Sequence, residues 1–409
     1  MKFSKIILML VVGLILMASN VAKAGDSEGN FDAGSTAFHH VSDANIYTFM
    51  PGVTLHLPCI LYDKKNGKWS VFSSSKFHPH GHHGDGTEVV DGYALVGGSV
   101  MKVKNPSSEM LNGAPLKLAE EHHPYHSEKK NVDGEEKEVM YFTHNGEKYY
   151  LEDKTSWDFG VFGGAFTSFY DFSITKNVMS MILVCLFLFF IFFRIAKTYQ
   201  ARDGKAPSGT QGFIEPIIVF IQDEVAKPFL GAHWKRFLPF LLTIFFFILG
   251  LNLFGQVPFL GGSNVTGSLS VTLVLALASF FVVNISGNSH YWEHIVWMPG
   301  VPAWLKVVIL TPVEILGIFI KPVTLMLRLF ANITAGHMVM VIFVSLIFIA
   351  REGLGDGGAY GTAIGSTLLT IFMMSIELLV AFIQAFVFTI LTAAYLSAAT
   401  EEAHDHDHD

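Results

Sequence analysis

Five side chains draw attention because of their surroundings. Glu314, Lys321, Arg328, His337 and Glu377 lie in or beside stretches that are otherwise without charge. Pro322 to Ala350 carries only Arg328 and His337, and Gly357 to Thr400 carries only Glu377. Charge in such a stretch is costly: even permissive insertion scales assign about 2.5–3.5 kcal/mol to an arginine at the centre of a membrane helix. Side chains kept there face a partner, a water-filled cavity or an ion path. The residue types suit ion handling. A carboxylate and an imidazole each take up and release protons, whereas a guanidinium stays charged in any environment a protein offers.

Their spacing sorts them. Glu314, Lys321 and Arg328 are seven apart, so on a helix each is turned only about 20° from the last and lies about 10 Å further along. Asn332, four beyond Arg328, continues that line. His337, nine beyond, is turned about 180° away. Glu377 and Gln384 are again seven apart, with Tyr395 near the same line. Two helices therefore each carry a polar stripe through apolar surroundings. Simpler readings exist for each. Glu314 and Lys321 could lie at the membrane edge and reach for water, and Arg328 and Glu377 could form one buried ion pair.

The elements that must position these residues are apolar helices. Asn177 to Phe193 reads as one span. Phe237 to Ser289 has no Asp, Glu, Lys, Arg or His in 53 residues. That is too long for one crossing, which takes about 20. Turn-formers at 255–267 divide it into helices at about 237–254 and 268–285. With the two stretches that carry the charges, the fold class is an all-α polytopic membrane protein with about five membrane helices, preceded by a small β-rich exported domain. Arg194, Lys197, Arg202, Lys205, Lys227, Lys235 and Arg236 all fall between the first two spans, which makes 195–236 cytoplasmic by the positive-inside rule. Within that segment Ile214, Ile217, Ile218, Ile221 and Val225 follow helical spacing and predict an amphipathic surface helix.

The N-terminus agrees with that orientation. Lys2 and Lys5 precede a 12-residue apolar run, Ile6 to Met17, and Ala22-Lys23-Ala24 follows. Residues 1–24 read as a cleaved export signal. Residues 25–156 are then periplasmic, residues 174–400 form the membrane domain, and the acidic, His-containing tail 401–409 is cytoplasmic. In the exported domain Asn66-Gly67 and Asn145-Gly146 lie between alternating apolar residues, a strong hairpin signal. Eleven of the 18 histidines are there, including His39, His40, His78, His80, His82, His83, His122, His123 and His126. The cluster His78, His80, His82 and His83 has metal-binding chemistry. Gly81, Gly84 and Pro79 among them equally suit a plain polar loop.

Composition closes other routes. Of 409 residues, 51% are hydrophobic and 15% charged, with mean hydropathy +0.43. Soluble domains average about 25% charged, so one large soluble enzyme is excluded. A net charge of −8 offers no basis for nucleic-acid binding. Cys59 and Cys185 lie in dissimilar surroundings and do not predict a disulfide. No phosphate-binding G-x-x-x-x-G-K-[ST] loop occurs, and no cofactor is expected.

The stretch Lys321-Pro-Val-Thr-Leu-Met-Leu-Arg328-Leu-Phe-Ala-Asn332, with Ala335-Gly336 and the final run from Ile383-Gln384 to Tyr395-Leu-Ser, resembles subunit a of the F-type ATP synthase membrane sector. So does Ile221-Gln-Asp-Glu-Val-Ala-Lys-Pro228. The resemblance covers roughly residues 170–400. It implies a subunit of a bacterial inner-membrane complex, with the last two helices long and tilted against a rotating ring of c subunits. The b subunits of the peripheral stalk and the lipid bilayer are further implied partners. The protein is then no enzyme by itself but the stationary path for protons, with two half-channels. Arg328 matches the essential arginine that faces the ring carboxylate. Asn332, His337, Glu377 and Gln384 match positions of the outer half-channel, and Glu314 a carboxylate tied to the cytoplasmic exit. Lys321 lies on the same stripe. The best-known bacterial pattern has Glu where this chain has His337, and His where it has Glu377, so the pair is exchanged, and the expectation is that the two meet across two helices and preserve the relay. A metal-cation transporter would explain the histidines, but predicts Asp/His pairs at i, i+4 within the spans, and there are none. A membrane-anchored binding protein leaves Arg328 and Glu377 unexplained.

Overall fold

The computed structural model describes residues 42–50, 53–80, 84–111, 115–118, 124–132, 135–155, 167–201, 206–257, 263–296 and 303–400. The expected export signal, His39, His40, His82, His83, His122, His123 and the tail 401–409 lie outside the described residues. The chain forms two units, residues 1–180 with 257–263, and residues 181–256 with 264–409.

The first unit is β-rich. Both Asn-Gly pairs turn hairpins: Pro58–Asp63 pairs with Lys68–Ser73, and Glu135–His144 with Glu147–Glu152. Asn145 and Gly146 both have positive φ, the backbone that a two-residue hairpin turn requires. One sheet has five antiparallel strands, in the order Tyr125–Val132, Glu135–His144, Glu147–Glu152, Ser99–Val103, Tyr93–Val96. A second has three, with Phe169–Asp171 and Lys68–Ser73 flanking Pro58–Asp63. The hairpin at 93–103 separates two apolar clusters. Side chains alternate across a strand, so Tyr93, Leu95 and Val100 join Cys59, Leu61, Phe72 and Phe169, while Ala94, Met101 and Val103 join Met110, Phe142 and Leu151. The third strand of the smaller sheet lies C-terminal to residue 156, so the β-rich structure continues past the segment read as a domain from the sequence.

This unit also holds the first turn of α1 (Lys176–Ala201). The Lys176 amide donates to the Ala44 carbonyl at 2.7 Å, and the Asn177 amide to Asp43 Oδ1 at 3.0 Å. A carboxylate from far along the chain thus takes up a free amide at the helix N-terminus, where negative charge is favoured.

The second unit is helical. It contains α2 (Thr210–Ile221), α3 (Trp234–Gln256), α4 (Leu269–Ile285), α5 (Ser289–Val296) and α6 (Thr311–Thr400). A wider helical turn at Gln222–Ala226 extends α2. Among the described residues, three helical stretches are long and apolar enough to cross a membrane: Lys176–Ala201, Thr210–Gln256 and Val308–Thr400. Leu269–Ile285 is a shorter apolar helix. Large apolar side chains lie open on these helices, among them Phe187, Phe189, Phe190 and Phe193 on α1, each more than 60% exposed. A helix apolar on its open side suits hydrocarbon, not water. The core forms from Ile221, Val225, Phe237, Leu241, Phe245 and Ile248 against Leu325, Met326, Leu329 and Phe388. Ala381, Ala385, Ala393 and Ala399 are fully buried on α6, and such small residues let helix backbones approach closely.

The 90 residues of α6 are not one rod. Gly355 has φ 69° and ψ −167°, which breaks the helix. His337 and Glu377 are 40 residues apart in sequence. A straight helix would separate them by about 60 Å, yet they touch (below). The chain folds back at Gly355 into two arms, 311–354 and 356–400.

Candidate functional site

The fold-back brings together the two titratable residues that sequence spacing had put on different helices. His337 Nδ1 lies 3.6 Å from Glu377 Oε1, with side chains 11% and 4% exposed. That distance is too long for a hydrogen bond. Among the described residues neither Glu377 carboxyl oxygen has a hydrogen-bond partner. Gly336 makes the room: a Cβ added there would lie 3.1 Å from Glu377 Oε1.

Glu377 belongs to a buried stripe. Ser366, Thr370, Glu377 and Gln384 are all buried. Their steps of four, seven and seven keep them on one face of the second arm over about 27 Å. Asn252 of α3 reaches the same arm. Its Nδ2 donates to the Ala381 carbonyl at 3.2 Å, one turn beyond Glu377, and its Oδ1 accepts from Thr266 Oγ1 at 2.7 Å. Asn252 and Thr266 were missed by sequence reasoning. The signal was present, because Asn252 is the one amide between Phe237 and Phe254, and a buried amide needs partners as surely as a charge does.

Arg328 and Asn332 are not in this cluster. Asn332 is exposed and Arg328 half-buried. Among the described residues the Arg328 guanidinium makes no ion pair or hydrogen bond, so Arg328 and Glu377 are not the buried ion pair that was one reading of the sequence. The half-turn between Arg328 and His337 has a visible consequence: the arm buries its imidazole on one side and leaves its arginine towards the other.

Lys321 and Glu314 lie further along the first arm. Lys321 Nζ is 5.4 Å from the centre of the Tyr395 ring. Lys321 and Tyr395 border a cavity of about 20 Å³, lined also by Ser279, Asn284 and Tyr291. One water fills such a space. Burial, with the Glu314 charge adding to it, raises the Tyr291 phenol above its ordinary range, so Glu314 acts on this corner too.

In the β-rich unit, His78 Nε2 is 3.8 Å from Glu88 Oε2, and His126 packs against Tyr141 with ring centres 5.6 Å apart. His80 lies in the short strand Pro79–His80. Among the described residues no three potential metal ligands come together. The group His78, His80, His82 and His83 includes two residues outside them.

Comparison with known proteins bears on both units. The family model described as "ATP synthase A chain" matches residues 178–397, and one described as "Domain of unknown function (DUF8433)" matches residues 36–126. The chain is 35% identical over 271 residues to ATP synthase subunit a 2 of Chlorobaculum tepidum, covering 63% of this chain and 74% of that one. It is 36% identical over 249 residues to ATP synthase subunit a of Chloroherpeton thalassium (58% and 71% covered). It is 37% identical over 246 residues to ATP synthase subunit a of Myxococcus xanthus (58% and 76% covered).

Proposed function

The chain belongs to the ATP synthase A chain family, and on that premise we propose that it is the stationary proton path of an F-type ATP synthase, passing protons to and from a carboxylate on a rotating c ring. It is a membrane-embedded subunit of the synthase, mostly helical, with a β-rich N-terminal domain, and is not the catalytic subunit.

One observation carries the proposal: His337 and Glu377, an imidazole and a carboxylate, are buried in contact across the two arms of α6, with the carboxyl oxygens free of hydrogen bonds among the described residues. Either group can hold the proton that the other gives up. Exchanging the two types between the arms keeps one of each, so the relay survives the exchange. In this reading the stripe from Ser366 to Gln384 with Asn252 lines the outer half-channel, and the water-sized space between Lys321 and Tyr395, with Glu314, belongs to the cytoplasmic one.

Arg328 is the barrier between them. A permanent charge with no ion-pair or hydrogen-bond partner among the described residues favours a carboxylate brought to it by another chain. It lowers that carboxylate's hold on its proton and blocks direct passage from one half-channel to the other. Asn332, one turn on and exposed, shares the ring-facing side. Each proton moved down 100 mV releases about 2.3 kcal/mol, so several are gathered per ATP. This reading takes α1, α3, α4 and the two arms of α6 as five crossings. The Lys/Arg bias puts α2 and the C-terminus in the cytoplasm and the β-rich domain outside a bacterial inner membrane. The b subunits of the peripheral stalk are its other expected neighbours.

The test is proton uptake driven by a potassium-diffusion potential in vesicles holding the membrane sector, with ATP synthesis measured in the whole complex. Arg328→Ala is expected to abolish coupled synthesis while passive proton leak is kept or raised. Unchanged coupled synthesis would remove Arg328 from the mechanism.

A further inference from the structure

We propose that the outer face of the three-stranded sheet is a lipid-docking surface, seated on the membrane leaflet that α1 enters. The sheet's inner face buries Cys59, Leu61, Phe72 and Phe169. The outer face of such an antiparallel sheet is ordinarily polar. Here it carries Ile60, Tyr62, Trp69, Val71, Tyr170 and Phe172. Trp69, Val71 and Phe172 are 55%, 68% and 57% exposed. Tyr62 is the register partner of both Trp69 and Tyr170, and Ile60 is that of Val71. The Trp69 ring lies 4.9 Å from that of Tyr62 and 5.6 Å from that of Phe172, and Tyr170 lies 6.2 Å from Phe172. These contacts make one continuous apolar face, of a kind that marks an interaction surface.

Two observations select lipid as its occupant. The first is chemical. Trp and Tyr pair an apolar ring with a polar edge, the combination that concentrates at the membrane–water boundary. The second is continuity. Phe172 precedes Lys176, the first residue of α1, by four residues, so at most about 14 Å of chain separates them. That connection is not slack: the Phe172 amide donates to Ile60, Ile174 to Pro58 and Lys176 to Ala44. The apolar face is therefore hydrogen-bonded, residue by residue, to the point where an apolar helix begins. The inference rests on α1 crossing the bilayer and not on any step of proton conduction.

The test places a nitroxide at Val71 (Val71→Cys in a Cys185→Ser chain) in the assembled complex, in vesicles of phosphatidylethanolamine and phosphatidylglycerol. Collisions with oxygen, which partitions into lipid, are compared with collisions with a water-soluble nickel chelate. A second label at exposed Lys129, on the five-stranded sheet, gives the aqueous reference. The expected result is a several-fold higher oxygen-to-nickel ratio at Val71 than at Lys129. Equal ratios would overturn the proposal, since the face would then be in water. Low collision with both reagents and an immobilised label would also overturn it, since a polypeptide would then cover the face. Independently, subtracting the emission of Trp69→Phe from that of the parent chain isolates Trp69. Bromine on the lipid chains should quench that component, and unchanged emission would contradict the proposal.

Discussion

Both units bury an acid beside a base, and they do it in opposite ways. In the β-rich unit, Lys102 Nζ lies 2.7 Å from Asp63 Oδ1. The Lys65 amide and Asn66 Nδ2 complete the carboxylate, and Lys102 also donates to Ser168. Burial alone would raise the Asp63 carboxyl, but these hydrogen bonds and the Lys102 charge outweigh it and hold it below its ordinary range. In the helical unit, His337 and Glu377 stand 3.6 Å apart and the carboxyl oxygens have no hydrogen bond among the described residues. A buried carboxylate with hydrogen bonds on both oxygens is held in its charged state, and a carboxyl left open has capacity for a proton or a water. The first pair ties the three-stranded sheet to the five-stranded one; the second, in the proposed function, is the one that changes.

That contrast can be broken at either end. Glu377→Gln keeps the shape of the open site and removes its titration. ATP-driven proton pumping should fall by about 100-fold or more, the usual worth of a proton-transferring group, with thermal stability almost unchanged. A variant that pumps normally would make the helical pair structural. Lys102→Met should do the reverse. Leaving Asp63 buried without its base costs about 3–5 kcal/mol, read as lost hydrogen-exchange protection in the 58–73 hairpin. Adding Asp63→Leu should recover most of that loss, since an apolar pair can replace a buried ionic one.

Smaller effects sharpen the comparison. Gly336→Ala puts a methyl 3.1 Å from Glu377 Oε1, a contact that a slight rotation relieves, so pumping should drop only a few-fold. Because the Asp63 carboxyl is depressed in the fold, its contribution to stability is present above the unfolded value of about 3.9 and is lost as pH falls through the lower folded value. The opening free energy of the 58–73 hairpin, measured by hydrogen exchange, should therefore hold from pH 7 to pH 5 and fall only below about pH 4. A decline centred above pH 5 would contradict the assignment. The exposed pair of Lys148 and Glu128, at 2.6 Å, is the surface control. Lys148→Ala should leave stability and pumping unchanged, because solvent screens such pairs.

The sequence exposed these two regions unequally. Each polar residue in the apolar helices could be found because its surroundings made it an exception, and helical spacing separated the side of Arg328 from that of His337. The contact of His337 with Glu377 was legible only through the family resemblance, as an exchanged pair expected to meet across two helices, because spacing alone does not tell where the chain reverses. Asn252 was legible by the rule that found Arg328, but an amide is a quieter signal than a charge. In the β-rich unit the Asn-Gly turns gave two hairpins, since a hairpin is local. The strand at 169–171 and the pairing of Asp63 with Lys102 join residues far apart in sequence, and no local pattern encodes them. The exposed Trp69, Val71 and Phe172 alternated with buried neighbours in the sequence, but only pairing with Phe169–Asp171 revealed that they share one face.

The central claim is that the open pair of His337 and Glu377 works as a unit, and an exchange tests it most directly. Coupled ATP synthesis would be compared in His337→Glu, Glu377→His and the double variant carrying both. Each single change leaves two groups of one kind, and each should lose most of the coupled activity. The double variant restores one carboxylate and one imidazole in contact, and should regain a substantial part of it. Equal damage in all three would contradict the account, because the two residues would then act separately and their contact in the fold would carry no function.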